Sequence, residues 1–232
     1  MTQLSPSRAT ESLPVTPSPY SPLSSTTNLP TTSSPPTVKV QVGIADPSLS
    51  QNDTLVNQLV QLINAVYTVA EEGIFNDVYR RTTPSDLKNL IQPSELALAW
   101  ISSSSSDPNP PPSQYDSPTS KIIGCARVQS LSATHGVFGM LVCDPNHRGS
   151  GAGKKLVEFA EGYCKDVLGK TVMQCELLVS TEFEHPFKVR MHSWYERMGY
   201  KVVRIGDFGA EYPHLKPCLV TDVEFRVYEK PL

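Results

Sequence analysis

The sequence has almost no charge bias: 20 Lys and Arg against 23 Asp and Glu leave a formal net charge of -3 over 232 residues. No broad basic field is therefore offered to a nucleic acid or another polyanion, and any attraction for phosphates must be local. No continuous apolar run has the length of a membrane span, and no secretory apolar core is visible. Arg8, with Glu11 close by, is weak support for an organelle transit peptide, so the expected location is cytoplasmic or nuclear. Cysteines 125, 143, 164, 175 and 218 are odd in number, and neither a Cys-x-x-Cys nor a His-x-x-x-His pair occurs. This pattern predicts buried thiols in a reducing compartment and no metal site.

Proline, Ser and Thr are plentiful and concentrated in two places. The first 36 residues hold no continuous apolar segment and cannot bury enough surface to offset their ordering entropy, so a disordered tail is expected there. A second stretch, 102–120, contains five consecutive serines and Pro110-Pro111-Pro112. It separates two strand-like runs, Leu96 to Ile101 and Lys121 to Val128, and reads as an enlarged loop within one sheet. One domain over 37–232 is the expected organisation.

Within that domain Val38 to Val42 alternates as a first strand. Asn52 to Glu72 places Leu55, Leu59, Leu62, Ile63, Val66, Tyr67 and Ala70 at helical spacing and ends at Gly73. Pro84 to Ile91 forms a short second helix with Pro at its start. After the two strands around the Ser/Pro loop comes a third, Gly136 to Cys143, and then a helix with Leu156, Ala160, Tyr163, Cys164 and Val167 on one face, stopped at Gly169. Val172 to Val179 is the next strand. A helix carrying Val189, Met191, Tyr195 and Met198 ends at Gly199, and strands at Lys201 to Ile205 and Leu219 to Tyr228 complete a mixed α/β pattern, β-α-α-β-β-β-α-β-α-β-β.

The segment His147-Arg148-Gly149-Ser150-Gly151-Ala152-Gly153 joins the third of these later strands to its helix. A glycine turn at a helix start presents unpaired N–H groups to a phosphate, and glycine lets the ligand approach without a Cβ in the way. Register separates the possible owners. A Walker A loop requires glycine where Arg148 stands and Ser or Thr where Lys155 stands, and a dinucleotide fingerprint requires Gly-x-Gly-x-x-Gly, whereas here Gly149, Gly151 and Gly153 alternate.

The spacing Arg-x-x-Gly-x-Gly at 148–153, together with Trp194-Tyr195-Glu196-Arg197-Met198-Gly199-Tyr200, resembles the two diagnostic motifs of the GNAT superfamily of N-acyltransferases. The segments Ala70-Glu71-Glu72-Gly73-Ile74, Cys175 to Val179 and His185-Pro186-Phe187-Lys188 also look like acetyltransferase-like proteins of filamentous fungi. The resemblance implies the GNAT acyl-CoA N-acyltransferase fold over 37–232 and acetyl-CoA as cosubstrate, with no metal. It implies that amides near Met140, Leu141 and Val142 hold pantetheine and thioester, and that Arg148, Gly149, Ser150, Gly151, Ala152, Gly153 and Lys154 receive the pyrophosphate. Tyr195 matches the tyrosine that supports the departing thiolate, whereas Trp194 reads as a packing residue.

Attack by an amine requires loss of a proton from a group with a pKa of about 10.4. Some family members use a Glu on the strand before the glycine turn, and Gly136 to Cys143 has none. Glu176 is the first candidate base, since Gln174, Glu176 and Leu178 project opposite Cys175, Leu177 and Val179. Glu71, Glu72, His135 and His185 follow. Positioning can supply roughly 7–11 kcal/mol against about 10²- to 10⁴-fold from acid–base assistance, so a water relay would also serve. The expected reaction is acetyl transfer to a primary amine of a small molecule, without nucleic-acid or membrane partners. A protein lysine or N-terminal acetyltransferase, and a non-catalytic acyl-CoA sensor, are the alternatives; an acceptor groove near Glu71-Glu72 would suit a cationic amine.

Since each doubling of a loop changes closure by only about 0.6 kcal/mol, deleting the centre of the 102–120 loop is expected to leave the fold intact, which circular dichroism and thermal melting will check.

Overall fold

The computed structural model describes residues 39–102 and 120–232; the expected tail and all but the ends of the Ser/Pro loop lie outside them. The described elements are β1 (Val40–Ile44), α1 (Asp53–Ala70), α2 (Pro84–Ile91), β2 (Leu96–Ser102), β3 (Ser120–Ser130), β4 (His135–Cys143), α3 (Ala152–Gly162), β5 (Val172–Ser180), α4 (Pro186–Arg197), β6 (Lys201–Gly206), α5 (Phe208–Glu211) and β7 (Val223–Pro231). The order is the expected one with a short α5 added. Seven strands form a sheet in the order β1-β2-β3-β4-β5-β7-β6, antiparallel throughout except where β4 meets β5.

Local chemistry sets the helix ends. Asn52 caps α1 by accepting the Leu55 amide at 3.0 Å, and Gly73 turns the chain away at φ +72°. Thr83 and Asp86 form a reciprocal capping box on α2. Alternation in β2 then decides which helices fit on which face. Leu96, Leu98 and Trp100 meet α1 and α2, together with Cys125, Met140 and Val142. The small Ala97 and Ala99 face α3 on the other side, with Ile123, Ala126, Val128 and Phe138. A third cluster, Ile74, Phe75, Leu178, Phe208, Phe225 and Val227, covers the far end of the sheet.

Four expectations shift. The first strand begins at Val40 and reaches Ile44, because its partners in β2 run from Ile101 back to Ala97. The last strand starts at Val223, and Leu219 makes only an isolated bridge to Phe75. Val167 is 64% exposed, since Tyr163 to Val167 form a π turn closed by Leu168 N–H to the Tyr163 carbonyl at 3.1 Å. That wider turn passes the inward position from Val167 to Leu168. On α4, Val189 is 43% exposed, and the buried position beside it belongs to Lys188.

β4 and the π turn that follows α3 pack closely at Gly136, where an added Cβ would lie 2.9 Å from Cys164 Cβ and closer still to its Sγ. Gly136→Ala is expected to destabilise the domain by about 1–3 kcal/mol, with part recovered in a Cys164→Ala background, as measured by denaturant unfolding of the single and double variants.

Candidate active site

Parallel pairing of β4 with β5 covers only His135 with Val172, Gly136 with Met173 and Val137 with Gln174. Beyond that point β5 pairs on its other side with β7 and β4 with β3, leaving their facing edges apart. A bulge helps open the gap. From Cys125 to Arg127 β3 advances two residues while β4 runs from Val142 to Gly139, and Met140 takes φ +47°. Phe138 and Leu141 therefore face α3 and α4, whereas Met140 and Val142 face α1. Positive φ at a non-glycine residue is strain of the kind concentrated at functional sites.

The gap leads into the glycine turn. Asp144 accepts hydrogen bonds from the Asn146 amide at 2.9 Å and has His147 Nδ1 at 3.1 Å, which fixes a tight turn after β4. Gly149 and Gly151 both stand at φ +81°, and a Cβ at either would meet nothing within 4 Å. Gly151 is the N-cap of α3 and has no side chain to cap it; Ala152 N–H reaches Ser150 Oγ at 3.4 Å. The first amides of α3 and the positive end of its dipole thus face outward. Arg148 and Lys154 are exposed beside them, with Lys154 3.5 Å from Glu158. Lys155 instead donates to the Val40 carbonyl at 2.9 Å, tying α3 to β1.

Tyr195 approaches the gap from α4. Its ring lies in an aromatic nest, with centroids 5.9 Å from Phe138, 5.5 Å from Tyr228 and 6.1 Å from Tyr200. No hydrogen bond among the described residues uses its hydroxyl. Burial raises the phenol well above its ordinary 10, and the Cys175 thiol and the Tyr67 and Tyr228 phenols add to the effect. Tyr67 belongs to α1 on the opposite face of the sheet. Trp194 is only partly buried and packs against the same core.

Glu176 lies on the face of β5 away from Cys175 and Tyr195. It accepts hydrogen bonds from Tyr212 Oη at 2.8 Å and Gln174 Nε2 at 3.0 Å. His135 is at the closed end of β4, 3.5 Å from Glu229. His185 caps α4 by accepting the Phe187 amide, and Glu72 is exposed.

Glu71 is different. It is 7% exposed, its Oε1 lies 3.7 Å from Arg81 Nη1 and 3.8 Å from Lys188 Nζ, and its buried Oε2 has no hydrogen-bond partner. It lines a cavity of about 540 Å³ with Asn64, Tyr67, Tyr79 and Arg81. Asn64 fixes the facing loop through both the amide and the carbonyl of Thr82, at 3.2 and 3.0 Å, and the Arg81 guanidinium stacks 4.5 Å over the Tyr67 ring. Helical spacing makes Tyr67 a packing residue, and no motif marks Arg81 or Lys188 as a site residue. A lysine standing in an apolar helix stripe was the available signal.

Residues 115–202 match the family model described as the acetyltransferase (GNAT) domain. That stretch resembles a GNAT domain. NAA60 of Arabidopsis thaliana, solved with a bisubstrate analogue, is similar at TM-score 0.54 and 11% identity, over 83% of this chain and 98% of that one. Ard1 of Thermoplasma volcanium gives 0.53 at 10% identity over 83% and 97%, and an aminoglycoside 6'-N-acetyltransferase complexed with coenzyme A gives 0.52 at 15% over 82% and 96%. At these identities the likeness concerns the fold. No curated protein matches the sequence. Among the described residues no group of His, Cys, Asp and Glu is placed to hold a metal ion, and no helix is long and apolar enough to cross a membrane.

Proposed function

We propose that the protein is an acetyl-CoA-dependent N-acetyltransferase acting on a primary amine of a small molecule. The observation that carries this reading is the open edge of β4, bulged at Met140, running into the uncapped start of α3 with Tyr195 behind it. Amides of Met140 to Val142 would hold pantetheine and polarise the thioester, where preorganised donors act on developing oxyanion charge. Amides of Gly149 to Lys154 would receive the pyrophosphate, with Arg148 and Lys154 as the nearby cations. A cavity of about 540 Å³ is in the roughly 300–1,000 Å³ range of small-ligand pockets and supports a small acceptor over a polypeptide.

Tyr195 serves as a hydrogen-bond donor to sulfur as charge develops there. A phenol held well above 10 stays protonated at working pH, and its outright transfer to a thiolate of pKa about 8.5 would be uphill. The intact hydroxyl weighs against the non-catalytic alternative.

Two substitutions test this reading. Gly151→Glu meets open space, so its effects are the left-handed conformation, about 1–2 kcal/mol, and a carboxylate at the pyrophosphate; calorimetric titration should show acetyl-CoA binding abolished in a folded protein. Tyr195→Phe should keep that binding and lower turnover by about 10²-fold, read by mass spectrometry of acetylated amines formed from a metabolite extract. Unchanged turnover would remove Tyr195 from the mechanism and leave the fold as it is.

A further inference from the structure

Glu71 belongs to the end of α1 and Lys188 to the first turn of α4, so their contact joins elements from the two faces of the sheet. Lys188 is 5% exposed. Both cations approach the same oxygen, Oε1, and the bare Oε2 is left on a residue that lines the cavity. A buried carboxylate oxygen without a donor costs stability unless a ligand supplies one.

We propose that Glu71 and Lys188 form the general base of the reaction, with Glu71 Oε2 receiving the acceptor's ammonium and Lys188 storing the proton. This rests on the acyl-transfer reading above. The acceptor R–NH₃⁺ gives one proton to Glu71 Oε2, the protonated carboxyl group turns that oxygen toward Lys188, and the same proton passes to the neutral Lys188 amine, so that the carboxylate is restored beside a lysine ammonium. The freed lone pair attacks the thioester carbonyl, the C–N bond forms, and the C–S bond breaks as the intermediate collapses. Nitrogen's second proton is released in that step and balances the one gained by the thiolate beside Tyr195. Lys188 returns its proton to solvent before the next turnover.

Of the two side chains the lysine amine is by nature the stronger proton acceptor. Burial brings Lys188 down to about 8, with Glu71 drawing it up and Arg81 pushing it down, so its neutral amine is reached more easily than that of an exposed lysine. The charged and titratable groups around the pair are Tyr67 from α1, Tyr79 and Arg81 from the loop, and His185 from the start of α4. Glu176, with hydrogen bonds already at both oxygens, is the competing base.

Two probes of nearly equal size separate proton removal from mere architecture. Methylamine is protonated at neutral pH and needs a base; hydroxylamine is already neutral and does not. The wild type is expected to acetylate both at high concentration. Lys188→Arg keeps the positive partner but cannot accept a proton, and should lose about 10²- to 10⁴-fold in kcat/KM toward methylamine while hydroxylamine changes by only a few-fold. Glu71→Gln should show the same split, and Lys188→Met repeats the test should the arginine prevent folding. Equal losses toward both amines, or no loss toward methylamine, overturn the relay; the methylamine-selective loss appearing instead in Glu176→Gln assigns the base there. Failure of the wild type to bind acetyl-CoA by calorimetry overturns the acyl-transfer reading itself and the relay with it.

Discussion

Everything distinctive about this domain depends on the early end of one strand pairing. β4 and β5 share only three residue pairs, then each continues with its outer neighbour alone. Unpaired edges inside a sheet are costly because backbone N–H and C=O groups demand partners, and here the bulge at Met140 holds the edge open. The core compensates on both sides of the gap. Phe138, Tyr195, Tyr200 and Tyr228 pack as rings beneath it, and Leu98, Cys125 and Val142 close the face above. On the proposed reading, one opening receives an extended donor from the α3 side and an acceptor from the α1 side.

Much of this arrangement was legible because it is written in local chemistry. Pro84 with Thr83 and Asp86 specifies α2, alternation specifies β2, and Gly149 and Gly151 occupy the positive φ that their turn requires. Tyr195 could be placed because Gly199 fixes the helix end one turn beyond it, and it does stand at φ +93°. Features that depend on non-local geometry were not legible. A π turn moved the inward position from Val167 to Leu168, the β4 bulge reset alternation at Met140, and the short α5 rests on Asp207 capping Ala210 in a segment without periodicity. Lys188 shows the limit best. Its partner Glu71 is far away in sequence and on the other face of the sheet, so no spacing rule connects them, and an apolar reading of α4 chose Val189 next to it.

The buried Glu71–Lys188 pair is hard to explain as a device for stability. Transferring two charges from water into a protein interior costs several kcal/mol each even after relaxation, and well-packed apolar residues of similar volume commonly do as well or better. Glu71 and Lys188 are both more than nine-tenths buried, are 3.8 Å apart and leave one carboxylate oxygen without a partner, which is poor geometry for a structural ion pair. The surrounding framework is nonetheless fixed: Asn64 clasps Thr82, Arg81 stacks on Tyr67, and His185 caps the helix that carries Lys188. A rigid frame holding an incompletely satisfied charge is what a site requires when its remaining partner arrives with the substrate. On the proposed reading the β4 amides face the thioester and this carboxylate faces the acceptor. The two halves of an acyl transfer would then meet where the sheet divides.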